Sequence, residues 1–330
     1  MATQTDKPYQ ISFPGSIRDL LRGSGQVMFQ QSAWTGLFFL IGIFWGAYSA
    51  GAGVVAWGAV VGLIASTFAG WIMGMHMQDG EDGLWGFNGI LVGCAFPTFL
   101  ANVPLMWFSL IVCAMLTTWM RRGFNNVTAR FKINSLTFPF VFCTWVFLLS
   151  SRVFTAMPPT DLDSPALIIH IGGEIQWSIT ALLGYWLKGV SQVFLINNWV
   201  TGILFLIGLA ICNKWAAVYA AASSAIALIM ALIFAADPGD ISAGLFGFSP
   251  VLTGIAIGTV FYKVNLKSAL WTLAAVIVTV FIQAGMDAFM APWGLPTLTG
   301  PFCIATWMFL LPLYKLTEDT PDMTDWVKKK

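Results

Sequence analysis

The sequence has very little charge for its size. Only 9% of its 330 residues are Asp, Glu, Lys or Arg, whereas 58% are hydrophobic. Soluble domains carry roughly 25% charged residues, so this chain has too few to cover a surface that faces water. With a mean hydropathy of +0.78, the composition predicts a protein embedded in a membrane. A net charge of +1 without a basic face argues against a nucleic-acid partner.

Ionisable groups are also scarce where chemistry inside a membrane would need them. The two histidines, His76 and His170, fall between the apolar segments. No Asp, Glu, Lys, Arg or His lies inside a predicted span except Asp287, near the end of one. Ion pumps, proton relays and intramembrane hydrolases require such groups at depth. A pathway through this protein would therefore suit a small neutral molecule.

Cysteine gives no sign of a metal centre or of a disulfide framework. The five cysteines lie in apolar runs and lack metal-ligand spacing, so we interpret them as packing residues. We expect no metal, no cofactor and no catalytic residue. The polar N-terminus is not followed by an apolar run, so the sequence indicates no cleavable signal.

Apolar stretches of about membrane-spanning length form two series of five. Most reach the ~30 Å of a hydrocarbon core at ~1.5 Å per residue, although several are short. The pattern predicts an all-α polytopic membrane protein with ten spans. The approximate ranges are 33–50, 53–75, 84–100, 104–120 and 134–150, then 199–212, 216–235, 244–262, 268–286 and 298–314.

The positions of the basic residues predict the topology. With the N-terminus in the cytoplasm and ten crossings, only Arg152 and Lys188 of the 16 basic residues fall on the far side. Lys and Arg favour cytoplasmic loops, and removing one span would misplace many of them. We therefore expect a multi-pass protein of the cell inner (plasma) membrane with both termini cytoplasmic.

Three stretches of sequence occur twice. Residues 84–95, LWGFNGILVGCA, match residues 245–256, LFGFSPVLTGIA, at an offset of 161. The stretch from Arg22 matches that from Lys188 at an offset of 166, and Thr137 aligns with Thr299 at 162. Because each half has an odd number of spans, related halves must be inserted in opposite orientations, a plan common among transporters.

These matches divide the chain into two inverted repeats within a single transmembrane domain, with the pore at the repeat interface. The turn-prone pairs Asn88-Gly89 and Ser249-Pro250 predict a break in the helix beside that interface. The expected boundaries are 1–330 for the domain, 16–150 and 182–316 for the repeats, 151–181 for the linker and 317–330 for a cytoplasmic tail.

A polar helical stretch precedes the first span of each half, at 17–32 and 183–198. Each carries glutamine and is too short and polar to cross in contact with lipid. One interpretation is an amphipathic surface helix. The other is a tilted re-entrant half-helix buried in protein, with its end facing an aqueous path, the only setting in which such backbone is tolerated at membrane depth.

The repeats pair several residues that suit a binding path. Amide and hydroxyl oxygens accept hydrogen bonds from N–H groups, and phenyl rings leave a flat apolar slot. Packing or capping would explain any one of these residues, but their pairing across the repeats favours a site for a planar neutral molecule. The pairs are Gln26 with Gln192, Thr137 with Thr299, Phe87 with Phe248, and Phe29 with Leu195.

At these residues the chain resembles the bacterial urea transporter (urea channel) family. The segments that carry the resemblance are GFNGILVG from Gly86, GFSPVLTGIAIG from Gly247, the LT-x-P-F segments at Leu136 and Leu298, and the stretch from Arg22. The resemblance implies two inverted halves of five spans and one half-helix each, a pore in every protomer, and a homotrimer in membrane lipid. It also implies passive, channel-like passage of urea down its gradient.

The resemblance also implies which residues form the selectivity filter. Gln192 departs from some bacterial members, which have Glu at that position, and Leu195 replaces a second phenylalanine. Glutamine at residue 192 leaves the filter without charge. Leucine at residue 195 makes the slot that it forms with Phe29 asymmetric. The implied substrate-binding residues are Gln26, Phe29, Phe87, Leu91, Thr137, Gln192, Val193, Leu195, Phe248, Leu252 and Thr299.

The sequence leaves other classes of function open. A channel for ammonia would use paired pore histidines, which the predicted spans lack, whereas passage of another small neutral amide fits the same residues. An ion-coupled secondary transporter also uses inverted repeats but needs ionisable groups at depth. A membrane enzyme would need a nucleophile, a metal cluster or an acid-base pair, and none assembles in the sequence.

Overall fold

The computed structural model describes residues 13–131, 133–167, 173–312 and 316. Within these ranges the chain is helical and forms no strand, apart from one isolated bridge between Leu100 and Pro159. The predicted all-helical class is therefore confirmed. His170, the N-terminal residues 1–12 and the predicted tail 317–330 lie outside the described residues.

The described part of the chain contains fourteen α-helices, with short 3-10 segments between some of them and a π-helical end, Ala256–Phe261, after the twelfth. They are α1 Phe13–Gln26, α2 Ala33–Ser49, α3 Gly53–Ile72, α4 Met77–Glu81, α5 Phe87–Phe99, α6 Pro104–Thr128, α7 Phe138–Ser151, α8 Ile179–Ser191, α9 Trp199–Cys212, α10 Lys214–Ile233, α11 Pro238–Ala243, α12 Phe248–Ile255, α13 Leu266–Met290 and α14 Gly300–Leu310.

Several helices have the length and composition of membrane spans. Four meet both criteria by themselves: α3, α6, α10 and α13 with its extension to Trp293. The helical stretches 179–194 and 199–212 meet them together but are bent by 70° at their junction. Five more are apolar but only 10–17 residues long. The chain is therefore a polytopic membrane protein by its helices as well as by its composition.

Two helices run beyond the predicted spans and bring charge with them. The α6 helix continues to Thr128 instead of ending near residue 120, and α13 continues to Met290. Arg121 therefore lies within α6, and it is only 7% exposed. The helices that contain the predicted spans therefore carry charged residues besides Asp287, and the Arg121 guanidinium pairs with Asp79.

The predicted break at Asn88-Gly89 and Ser249-Pro250 was also wrong. Both pairs lie in the first turn of a helix, since α5 begins at Phe87 and α12 at Phe248. The first turn has no intrahelical acceptor for its N–H groups, so proline is tolerated there. The chain instead turns earlier, at glycines with left-handed backbone, Gly83 (φ 79°) and Gly244 (φ 77°).

Helices α3 and α5 approach each other closely because glycines line their contact. A methyl group at Gly62 would strike the carbonyl oxygen of Gly89, and one at Gly93 would strike the carbonyl oxygen of Gly58. Small residues let helix backbones pack tightly in membranes, where hydrophobic burial adds little. The glycines therefore fix the distance between α3 and the helix that carries Phe87.

The helices of the second half pack with the same neighbours as those of the first. Helix α3 contacts α5 and α6, and α10 likewise contacts α12 and α13. Helix α1 contacts α2 and α5, and α8 contacts α9 and α12. Contact between α2 and α9 joins the two halves.

Four of the hydrogen bonds between the halves form two reciprocal pairs. In each pair, a residue of the first half donates to the second, and the residue aligned with that donor donates back. All four bonds are 2.7 or 2.8 Å long, and the acceptor in each is a backbone carbonyl oxygen. They are Thr35 to Gly208, Thr201 to Gly42, Trp145 to Pro296 and Trp307 to Asn134.

Unusual backbone conformations recur at the same offsets as the sequence matches. Eight residues with positive φ form four pairs whose members are 161, 162 or 166 positions apart. Left-handed backbone is costly for residues other than glycine, so such pairs are specific features. The pairs are Phe29 and Leu195, Gly74 and Ala235, Gly83 and Gly244, and Leu136 and Leu298.

The cysteines are free, and four of them are buried. The interpretation as packing residues is confirmed for Cys94, Cys113, Cys143 and Cys303. It was wrong for Cys212, which is exposed because it is the last residue of α9.

Candidate functional site

The predicted glutamines lie where the first helix of each half ends. Gln26 is the last residue of α1, and Gln192 directly follows α8. The chain then turns sharply at Phe29 (φ 62°) and Leu195 (φ 58°) before the next helix. In each turn the N–H of that residue donates to the backbone carbonyl of the glutamine, at 3.0 Å and 2.9 Å.

Each glutamine side chain is held by one backbone carbonyl. The Nε2 of Gln26 donates to the Asp82 oxygen at 2.7 Å, and the Nε2 of Gln192 donates to the Ala243 oxygen at 2.9 Å. A carbonyl oxygen accepts only from the nitrogen side of an amide, so these bonds fix the orientation of both groups. Both side-chain oxygens are left to accept N–H donors.

The predicted slot phenylalanines occupy equivalent places at helix starts. Phe87 is the first residue of α5 and Phe248 the first of α12, and they are 7% and 8% exposed. Leu91 and Leu252 lie one turn further along the same helices and are fully buried. Residues four apart share a helix face, so each leucine backs the phenylalanine before it.

The two threonines meet at the contact between the halves. The hydroxyl oxygens of Thr137 and Thr299 are 2.6 Å apart, and both residues are 2% exposed. They stand just before α7 and α14, next to the left-handed Leu136 and Leu298. The structure thus brings this predicted pair into direct hydrogen-bond contact.

The remaining predicted residues lie in the turns that follow α1 and α8. The ring of Phe29 makes edge-to-face contacts with Phe302, at 6.0 Å between ring centroids, and with Phe261, at 6.4 Å. Val193 is buried, whereas Leu195 is half-buried. Phe29 therefore lies against the second repeat, which the pairing with Leu195 did not predict.

One charged residue beside the site was missed by the sequence interpretation. The guanidinium carbon of Arg121 lies over the Phe87 ring, 5.9 Å from its centroid. Its Nη1 is 2.9 Å from Asp79 Oδ2. The sequence offers only its position as a sign of this role. Arg121 directly follows a predicted apolar run, and the residue aligned with it in the second half is the neutral Gln283.

In the corresponding region of the second half, the neutral Gln283 stands in place of Arg121 and bonds to a carboxylate. Gln283 Nε2 donates to Asp287 Oδ1 at 2.9 Å and to Thr297 Oγ1 at 2.8 Å. In the nearby short helix α11, burial raises the pKa of Asp240, and repulsion from Asp237 and Asp163 raises it further. Within the described ranges, no three His, Cys, Asp or Glu side chains are placed to share a metal ion.

Comparison with known sequences shows the family of this chain. The sequence profile of the urea transporter family matches residues 17–314. The chain belongs to the urea transporter family. The matched range contains every predicted site residue, together with Arg121 and Asp79. This is a family of transporters rather than enzymes, as the sequence predicts.

Curated members of the urea transporter family align with almost the whole chain. Urea transporter 1 of Ovis aries is 29% identical over 328 residues, covering 96% of this chain and 80% of the relative. Urea transporter 1 of Rattus norvegicus is 28% identical over 329 residues, with the same coverage. Both relatives are eukaryotic, so these matches support the family without singling out its bacterial members.

Proposed function

We propose that the protein conducts urea down its concentration gradient by channel-like facilitated diffusion. Family membership supports urea as the permeant. The observation that carries the mechanism is the glutamine pair, whose amide nitrogens are tied to Asp82 and Ala243. The amide oxygens of Gln26 and Gln192 are thereby oriented before urea arrives, and they accept its N–H groups.

In this proposal the pore lies between two inverted repeats. The reciprocal bonds between the halves support a two-fold relation, because a two-fold axis makes every contact occur twice. An odd number of spans in each half places that axis in the membrane plane. Ten spans, a re-entrant half-helix at each repeat start and the boundaries 16–150, 151–181 and 182–316 complete this arrangement.

The filter residues share the work of replacing water around urea. Burying a polar amide without hydrogen bonds costs roughly 2–7 kcal/mol. The glutamine oxygens offset part of that cost, and the threonine hydroxyls do so where the halves meet. The rings of Phe29, Phe87 and Phe248 limit the thickness of a molecule that can pass. Four aliphatic side chains line the pore beside these rings: Leu91, Val193, Leu195 and Leu252. Binding stays weak enough for release.

The surroundings of the pore follow from the helix surfaces. Large apolar side chains are exposed along the spans, among them Trp34 (66%), Phe108 (64%) and Trp57 (53%). Such surfaces suit membrane lipid and neighbouring subunits. We propose a homotrimer in the inner membrane with both termini cytoplasmic. Native mass spectrometry of the detergent-solubilised protein would test the number of subunits.

Stopped-flow urea flux in proteoliposomes tests the function. We expect flux well above that of empty vesicles, with no dependence on a sodium or proton gradient. Flux no faster than in empty vesicles would overturn the proposal. A dependence on an ion gradient would indicate a coupled transporter instead.

The threonine pair offers a second test. Replacing Thr137 and Thr299 together by Val removes both hydroxyls at nearly constant volume. Since one hydrogen bond contributes about 1 kcal/mol, we expect urea flux to fall roughly 5- to 10-fold. The control is the double replacement by Ser, which keeps the hydroxyls and should keep most of the flux. Unchanged flux in the Val variant would contradict a role for these hydroxyls.

A further inference from the structure

Arg121 is connected to two of the proposed filter residues. Its guanidinium lies over the Phe87 ring at 5.9 Å. It also pairs at 2.9 Å with Asp79, which belongs to the short helix α4. With only 7% of its surface exposed, Arg121 is buried against these two groups.

The segment that follows Asp79 holds the glutamine of the same half. The Glu81 carbonyl oxygen accepts from Arg22 at 2.8 Å, and the Asp82 carbonyl oxygen accepts from Gln26 at 2.7 Å. The N–H of Leu84 returns to the Asp79 carbonyl oxygen at 2.8 Å, so the segment forms a closed turn. Arg121 therefore fixes one end of a turn whose other contacts set the Gln26 amide and lead into Phe87.

The second half secures the equivalent turn without an arginine. Gln283 stands where the repeat places Arg121, and Asp240 stands where it places Asp79. Gln283 donates to Asp287 and Thr297 rather than to the α11 turn. The contact between a cation and a slot phenylalanine therefore occurs in the first half, at Phe87, while the second half has the neutral Gln283 in the position of the cation.

A guanidinium over a phenyl ring restrains the ring in two ways. The attraction between the cation and the ring face favours one ring orientation. The planar guanidinium also covers that face of the ring. A neutral or smaller side chain at residue 121 would supply neither the attraction nor the same steric stop.

We propose that Arg121 is a positioning residue for selectivity: held by Asp79, it fixes the Phe87 ring and the turn that orients Gln26, so that this end of the pore admits urea and rejects its N-methylated analogues. The inference rests on the proposed filter roles of Phe87 and Gln26. It adds a residue that contacts no permeant and acts through those that do.

The test compares the flux of urea with that of N,N′-dimethylurea in proteoliposomes. We expect Arg121→Gln, which copies the second repeat, to lower the urea-to-dimethylurea ratio roughly 3- to 10-fold, the range of a cation–π contact. Arg121→Lys keeps a cation near the ring and should restore much of the ratio. Asp79→Asn should lower the ratio in the same direction. Arg122→Gln is the matched control, since it removes a cation from the exposed neighbouring position and should leave the ratio unchanged.

A double-variant comparison separates positioning from general stability. In a Phe87→Leu background, Arg121→Gln should change the ratio by a smaller factor than it does with Phe87 present, because only the route through Asp79 and the Gln26 turn then remains. If Arg121→Gln lowers both fluxes equally and Lys restores neither, the role is structural and the inference is overturned. A wild-type ratio in Arg121→Gln also overturns it.

Failure of the inference is distinguishable from failure of the proposed function. No urea flux in the wild-type protein would overturn the function itself. An unchanged ratio in Phe87→Leu alone would overturn both the slot assignment and this inference. A changed ratio in Phe87→Leu with a wild-type ratio in Arg121→Gln would overturn only the inference. If Arg121→Gln does not fold, Asp79→Asn and Arg121→Lys decide the question through the same ratio.

Discussion

At the scale of single residues, orientation matters more than residue type. In the proposed pore, Gln26 and Gln192 suit an N–H-bearing permeant because a backbone carbonyl holds each amide nitrogen, which leaves the oxygen as the available group. Two amides free to rotate would present donors as often as acceptors. Arg121 shows the same principle with charge, since Asp79 decides where the guanidinium lies over Phe87.

Asp240 is a residue at which pH and stability are coupled. Burial and the neighbouring carboxylates Asp237 and Asp163 raise its pKa above the usual 3.8. The folded protein therefore holds this proton more tightly than the unfolded chain does. The resulting stability is fully present below pH 3.8 and is lost as the pH rises through the raised pKa.

Replacing Asp240 by Asn removes the cost of holding a buried negative charge near two other carboxylates at neutral pH. We expect a higher thermal midpoint than that of the wild-type protein at pH 7, and a difference that shrinks as the pH falls and vanishes below 3.8. Thermal unfolding in detergent across this range measures it. Asp161→Asn, at an exposed position of the linker, controls for the loss of one negative charge. A variant less stable than wild type at pH 7 would contradict the assignment.

At the scale of elements, matched turns in the two halves reach the same conformation with different residues. The turn after α3 has Gly74 at φ 57°, and the turn after α10 has Ala235 at φ 49°. Both turns lead into a short helix that carries an aspartate, Asp79 or Asp240. The tertiary structure has therefore imposed left-handed backbone on an alanine, at a cost that glycine avoids.

The two turns allow a paired stability experiment. Ala235→Gly should raise the free energy of unfolding by about 1 kcal/mol, and Gly74→Ala should lower it by about the same amount. No atom lies within 4 Å of a methyl group at Gly74, so backbone strain alone accounts for that loss. Unfolding in SDS titrations measures both variants.

Gly123→Ala is the control for these turns, since Gly123 lies inside α6 and a methyl group there also meets open space. In a helix alanine is the more favourable residue, so this variant should gain stability. The same sign of change for Gly74→Ala and Gly123→Ala would contradict the backbone argument.

At the scale of the whole molecule, the contact between halves organises the site. The threonine hydroxyls meet at 2.6 Å, and the four reciprocal bonds lie on the same interface. A pore built at such an interface receives one set of residues from each half. Differences between the halves, such as Arg121 against Gln283, then make its two ends unlike.

Cys212 is a natural reporter of the proposed topology. It is exposed at the end of α9, and the other four cysteines are buried. In the ten-span arrangement this end of α9 faces the cytoplasm. We expect a membrane-impermeant maleimide to label the protein in inside-out vesicles and not in intact cells. Cys212→Ser should abolish the labelling, and labelling from outside intact cells would overturn the topology.

The membrane class, the approximate positions of most helices and the family could be read from the sequence. These follow from local properties: apolar runs form helices wherever they enter a bilayer, and repeated motifs stay visible when read in order. The Gln26–Gln192 and Thr137–Thr299 pairs were predictable for the same reason, because a duplication leaves its record in the spacing.

How these residues face each other became visible in three dimensions. The start of α5 at Phe87, the orientation of the glutamine amides and the place of Arg121 depend on contacts between residues 40 to 60 positions apart. Such contacts leave no periodic signal in the sequence. In the sequence, Arg121 looks like the polar end of a span. The structure shows its contacts with Asp79 and with the Phe87 ring.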